Sequence, residues 1–213
     1  TCARSPEGRP SAQVHYWLDR RAMLSSMFGW SFLVVFTACL GGQVPPGAQW
    51  QRADRATARL SPSAFRDLPA SIHNELLRRG CTIPQAAFWR PEPHNVIRGA
   101  FTAAGQEDIA VLCSRNRVSS ILVFRGGSIE SVAELARKPD SAFLQVAGAQ
   151  GEIAFSRTIG VADADYIRKR REWYGGRKPP PLDHAGINDA FMEKASVVWY
   201  WYRGRWLCLT GAD

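Results

Sequence analysis

The chain predicts an α+β domain, mainly an antiparallel sheet of about six or seven strands with two or three short helices. Three observations lead there. From Asn95 onward, short apolar runs recur at strand length, separated by turns too short for a crossover helix, so antiparallel pairing is expected. Two segments, 68–80 and 163–173, carry helical features, the first ending at Gly80 and the second stopped by Gly175-Gly176. The 213 residues suffice for one domain with a real core once a leader and a linker are set aside.

The leader is read from Arg20-Arg21, an apolar run from Phe28 to Ala38, and the small-residue site Thr37-Ala38-Cys39. A positive, then apolar, then cleavable order is that of a secretory signal peptide. The run is shorter than the roughly 20 residues a helix needs to cross a hydrocarbon core. Residues 1–38 are therefore expected to be an upstream extension plus signal peptide. Residues 39–67, rich in Gly, Pro, Gln, Ala and Arg, read as a flexible linker, and 68–213 as a single β-rich globular domain.

Within the leader, Val35-Phe36-Thr37-Ala38-Cys39-Leu40-Gly41-Gly42 resembles a bacterial lipobox, although Phe36 stands where an aliphatic residue is usual. The resemblance implies lipidation at Cys39, which would become the mature N-terminus; cleavage without lipidation and a buried helix are the competing readings. In this the chain resembles the broad class of uncharacterised bacterial exported proteins, which implies a periplasmic or envelope-anchored location and no activity.

The domain opens with a helix in which Pro69 sits in the first turn, Ile72, Leu76 and Leu77 share a face, and Gly80 caps the end. Runs 95–102, 108–115 and 118–125 then form a meander. Ile129, Val132, Leu135 and Ala136 predict a helix over 129–138, stopped by Pro139. Strands over 142–146 and 152–159 follow, then a helix over 163–173 with acids first and bases last. Finally, 196–202 and 205–210 predict a hairpin across Arg203-Gly204. Trp201 should oppose Trp206 and Trp199 oppose Cys208 on one face, with Tyr200 opposite Leu207 on the other.

The segment Gly99-Ala100-Phe101-Thr102-Ala103-Ala104-Gly105-Gln106-Glu107-Asp108-Ile109-Ala110-Val111 resembles one FG-GAP or VCBS blade motif. That family implies a calcium-binding acidic loop and a propeller of several blades. Here Ala100 and Ala104 replace two acidic positions, leaving Asp108, and calcium wants six to eight oxygen ligands. No second copy recurs at blade length, so the resemblance implies a hairpin without calcium.

Chemistry is sparse in the sequence. It contains no G-x-S-x-G, H-E-x-x-H or P-loop motif and no C-x-x-C pair, and no cofactor or metal is expected. A thiol enzyme could be assembled from Cys113 with His94 or His184 and Asp183, and the two histidines could share a metal with Asp183 or Asp189. An interior thiol and loop histidines bonded to backbone explain the same residues. Of Cys81, Cys113 and Cys208, an oxidising compartment permits one disulfide and one free thiol, with the pairing open.

The formal charge of +8 suits an anionic partner. Arg168, Lys169, Arg170, Arg171, Trp173, Tyr174, Arg177 and Lys178 form the candidate interaction surface, although a solvated helix C-terminus accounts for them too. The leading expectation is a noncatalytic envelope binding protein, its partner an envelope component or an anionic membrane surface. An envelope hydrolase with an unrecognised His/Asp or Cys/His site is second, and a basic nucleic-acid-binding protein third.

Overall fold

Among the residues that the structure describes, buried apolar side chains fall into three clusters, and those clusters define the layers of the fold. The computed structural model describes residues 46–87, 90–148, 150–174 and 179–210, all within one compact unit. The elements are α1 (Pro46–Ala56), β1 (Arg59–Leu60), α2 (Ala70–Arg78), β2 (Ile83–Pro84), β3 (Val96–Gly99), β4 (Asp108–Arg115), β5 (Val118–Phe124) and β6 (Val132–Pro139). They continue with β7 (Leu144–Ala147), β8 (Glu152–Phe155), β9 (Arg157–Ala162), α3 (Ala164–Tyr174), β10 (Gly186–Phe191), β11 (Ala195–Tyr202) and β12 (Arg205–Thr210). The α+β class stands, with more strands than expected: the described residues hold 12 in four antiparallel sheets.

Two four-stranded sheets, ordered β3-β4-β5-β6 and β12-β11-β10-β9, form the body, and β1-β2 and β7-β8 are two-stranded ribbons. Ala110, Leu112, Ile121, Val123 and Leu135 of the first sheet share one cluster with Ile159 and Ile187 of the second, joined by Phe101, Phe143 and Phe155. The opposite face of the first sheet, with Ile109, Val111, Leu122 and Phe124, is covered by Ile72 and Leu76 of α2. The opposite face of the second sheet, with Val198 and Tyr200, is covered by Ile167 of α3. The layers therefore run helix, sheet, sheet, helix. Burial on both faces explains why β4 reads as a continuous run rather than an alternation.

Several local expectations hold. The second helix ends at Arg78, with Gly80 in the left-handed region at φ 68°. Asp163 caps α3 by accepting from the Tyr166 N–H at 2.6 Å. The β11-β12 register places Trp201 against Trp206, Trp199 against Cys208 and Tyr200 against Leu207. Arg203 and Gly204 both take positive φ, 47° and 80°, as a tight primed turn requires.

Others are corrected. The segment 129–138 is not helical: β6 pairs with β5, and the register shifts between Ser119 and Ile121. Ala136, at φ 53°, and Arg137 bulge opposite Ser120, so Leu135 and Ala136 both reach the inner cluster. A bulge adds one residue to a period of two and so imitates helical spacing. The run 152–159 is split at Ser156, where the chain leaves the β7-β8 ribbon for the second sheet. Strand β10 has no clear apolar alternation in the sequence because Asp189 occupies its core face.

The linker expected over 39–67 is structured from Pro46 onward, and 39–45 lie outside the described residues with the leader. The anchor of this segment is polar. Arg59 bonds Asp54 at 2.8 Å and the fully buried Asp140 at 2.8 and 3.1 Å, and Asp140 also accepts from Ser114 Oγ at 2.6 Å. Hydrophobic periodicity does not reveal such a tether.

Between the sheets lies Arg157, with none of its side chain exposed. Its Nε and Nη2 donate to the two oxygens of Asp189 at 2.8 and 2.9 Å. Nη1 donates to Ser119 Oγ at 2.9 Å and Ser119 O at 3.3 Å, and Nη2 also to Ala136 O at 2.9 Å. The guanidinium lies 4.3 Å from the centre of the Phe143 ring.

The second sheet also has no room at Gly186, where a Cβ would stand 2.6 Å from the Trp199 carbonyl oxygen. Gly186→Ala is therefore expected to destabilise the protein by about 1–3 kcal/mol through overpacking. Urea unfolding measures this, and a variant as stable as the parent would show that β10 and β11 are not so closely packed.

Candidate functional site

The catalytic alternative drawn from sequence divides among separate structural roles. Cys113 is bonded to Cys81 across a Cα–Cα distance of 5.2 Å, so it offers no thiolate. This bond ties the turn after α2 to β4 beneath the helix, and closing a loop of 32 residues contributes about 3–4 kcal/mol in the chain-entropy account. Cys208 is disulfide-bonded as well. The free thiol expected among the three is thus absent.

His94 is a structural residue. It is 3% exposed; its Nε2 accepts from the Ala86 N–H at 2.8 Å, which leaves Nδ1 to donate to Glu92 O at 3.1 Å. Its backbone is held by Gln85, which accepts from His94 N at 2.8 Å and donates to His94 O at 3.0 Å. Burial pushes the imidazole below the ordinary histidine range, and the charge of Arg90 acts in the same direction against the Glu92 bond. Asp189, weighed as a metal ligand, has both oxygens occupied by Arg157. Among the described residues no group of three His, Cys, Asp or Glu side chains could hold a metal.

The FG-GAP-like loop is closed by protein donors instead of a cation. Asp108 is fully buried, and its Oδ2 accepts from Phe101 N, Thr102 N and Thr102 Oγ1 at 2.8–2.9 Å. Its Oδ1 accepts from Gln106 Nε2 at 2.6 Å and Gly126 N at 2.7 Å. Five donors saturate the carboxylate, and what remains of the motif serves to fix the loop.

His184 and Asp183 do come together, in a cleft of about 550 Å³ at one end of the sandwich. Three segments build its walls: Thr102–Ala104, Pro181–His184 and the hairpin tip Trp201–Gly204. The first two are tied by a bond from Ala185 N to Ala100 O at 2.8 Å, and the Asp108 network holds the first in shape. Trp201 meets Trp206 edge to face at 5.6 Å, and the Arg125 guanidinium lies 5.2 Å from its ring centre. His184 Nδ1 is bonded to Ala185 O at 2.9 Å, so in the neutral ring Nε2 is the acceptor. The Asp183 carboxylate is exposed and has no partner among the described residues.

The basic stretch is less continuous than its sequence. Arg170 is 3% exposed and donates to Tyr166 Oη and to Ser196 O and Oγ, so it serves packing of α3 on the second sheet. Arg168, paired with Asp165, and Lys169 are exposed. Arg171, Trp173 and Tyr174 belong to α3, while Arg177 and Lys178 lie outside the described residues, as does Cys39. Sequence reading had the hairpin tip, but nothing local signals that 102–104 and 181–184 meet it.

Because the unfolded chain protonates His94 near about pH 6.5 while the folded ring resists, the neutral-ring contribution is present above that pH. Stability should fall as the pH drops from 7 to 5, and His94→Gln should flatten that slope. An unchanged slope in urea unfolding at stepped pH would contradict the assignment. Comparison of the chain with known proteins yields no matching family model, no similar curated protein and no similar solved structure.

Proposed function

We propose that this chain is a noncatalytic binding domain of a bacterial-type cell envelope, exported by its leader, with the cleft at the hairpin tip as its binding surface. The observation that supports export most is the Cys81–Cys113 disulfide, since such bonds persist mainly in oxidising compartments. The cleft is favoured over the basic helix because Arg170 is turned into the fold, which breaks the charge run. The aliphatic hydroxyl on the cleft wall, Thr102, is donated to Asp108, and Cys113 is oxidised, so neither serves as a nucleophile there.

A second reading, an envelope hydrolase, draws on one observation: His184 and Asp183 line the same cleft. It requires general acid–base work by this pair without a covalent intermediate.

Fractionation and intact mass in a bacterial host test the proposal, comparing the native chain with Cys39→Ser. The expected result is a protein in the envelope fraction with its leader removed, and the mass difference between the two forms tells whether Cys39 carries a diacylglyceryl group. A soluble cytoplasmic protein with an intact leader would overturn it and direct attention to nucleic acid.

A further inference from the structure

We infer that the cleft at the hairpin tip is a carbohydrate site that takes a short oligosaccharide. The inference deepens the binding-domain reading and rests on it for the choice of surface. A pyranose ring presents a flat patch of C–H groups and a rim of hydroxyls, so a site for it needs an aromatic side chain beside open hydrogen-bonding groups. The cleft supplies both. Trp201 and Tyr202 are half-buried in its wall, and Asp183 contributes two carboxylate oxygens with no partner among the described residues. His184 adds an acceptor at Nε2, and Arg203, whose guanidinium lies 5.2 Å from the Tyr202 ring centre, adds donors.

Other ligand chemistries fit less well. An anionic phosphate or lipid headgroup would meet the Asp183 carboxylate, which offsets the charge of Arg203 within the same cleft. A wholly apolar ligand would leave Asp183 and Arg203 without partners as it excluded water. The volume of about 550 Å³ lies within the usual range for small-ligand sites, about 300–1,000 Å³, and suits a chain of a few sugar rings.

The site is also formed in advance. Trp201 is braced by Trp206 and Arg125, the loop 101–106 is fixed by the saturated Asp108, and Ala185 N bonds Ala100 O behind it. A ligand would order little of the protein on entering, which favours affinity.

The test is calorimetric titration of the purified chain with an N-acetylglucosamine tetramer and with cellotetraose, accompanied by inorganic phosphate and vesicles of anionic phospholipid. Saturable binding of either saccharide is expected, weakened about tenfold or more by Trp201→Ala and by Asp183→Ala, a loss of roughly one decade in affinity. Asp183 is exposed and unpaired, so its variant should keep the parent's melting temperature even if Trp201→Ala does not. Failure of both saccharides to bind, binding unchanged in Asp183→Ala, or binding of only phosphate or vesicles would overturn the inference. Such a failure leaves the envelope reading intact, because fractionation reports location whatever the cleft holds.

Discussion

Placing a guanidinium between two sheets costs several kcal/mol unless each of its N–H groups meets an acceptor, and much of this sandwich is arranged around that requirement at Arg157. Five N–H groups find five acceptors. Two are the oxygens of Asp189 on the neighbouring strand of the same sheet; the other three belong to Ser119 and Ala136 of the facing sheet. The carbonyl of Ala136 is offered from a bulge with positive φ, a backbone geometry that costs an alanine about 1–2 kcal/mol. Removing the bulge would restore a regular β5-β6 register, and a regular register gives no reason for that carbonyl to be free of the ladder. Register, bulge and ion pair are therefore one feature.

Other buried polar residues also join segments that are distant in sequence. Asn95, 1% exposed and at φ 71°, donates from Nδ2 to Pro84 O and Arg157 O and accepts from Ile159 N. It thereby links β2 to β9 at the level of Arg157. Asp108 closes the loop that walls the cleft, and Asp140 draws α1 and β1 to the body through Arg59. The apolar clusters supply the bulk of burial, while these polar residues fix how the pieces meet.

What sequence could reveal follows from the range of the forces involved. The terminal hairpin was legible in register because its turn, Arg203-Gly204, and its alternation are local. The meander β3-β4-β5 was legible for the same reason, and α3 through its charge order. The long-range polar contacts were not. Asp189 disguised β10, the bulge at Ala136 disguised β6 as a helix, and Arg59 held to Asp140 a segment whose composition reads as linker. At the site, the pairing of Asp183 with His184 was visible as adjacency. Their meeting with Trp201 depended on how the second sheet returns past the 101–106 loop, and no local pattern encodes that.

A double-mutant cycle between Arg157 and Asp189 tests the central claim most directly, using Arg157→Met, Asp189→Leu and the pair together, read by urea unfolding. The account predicts that each single change costs about 3–5 kcal/mol by stranding a buried charge, and that the pair costs far less than the sum. Additivity within about 0.5 kcal/mol would contradict it and would mean that Asp189 does not offset the burial of the Arg157 charge.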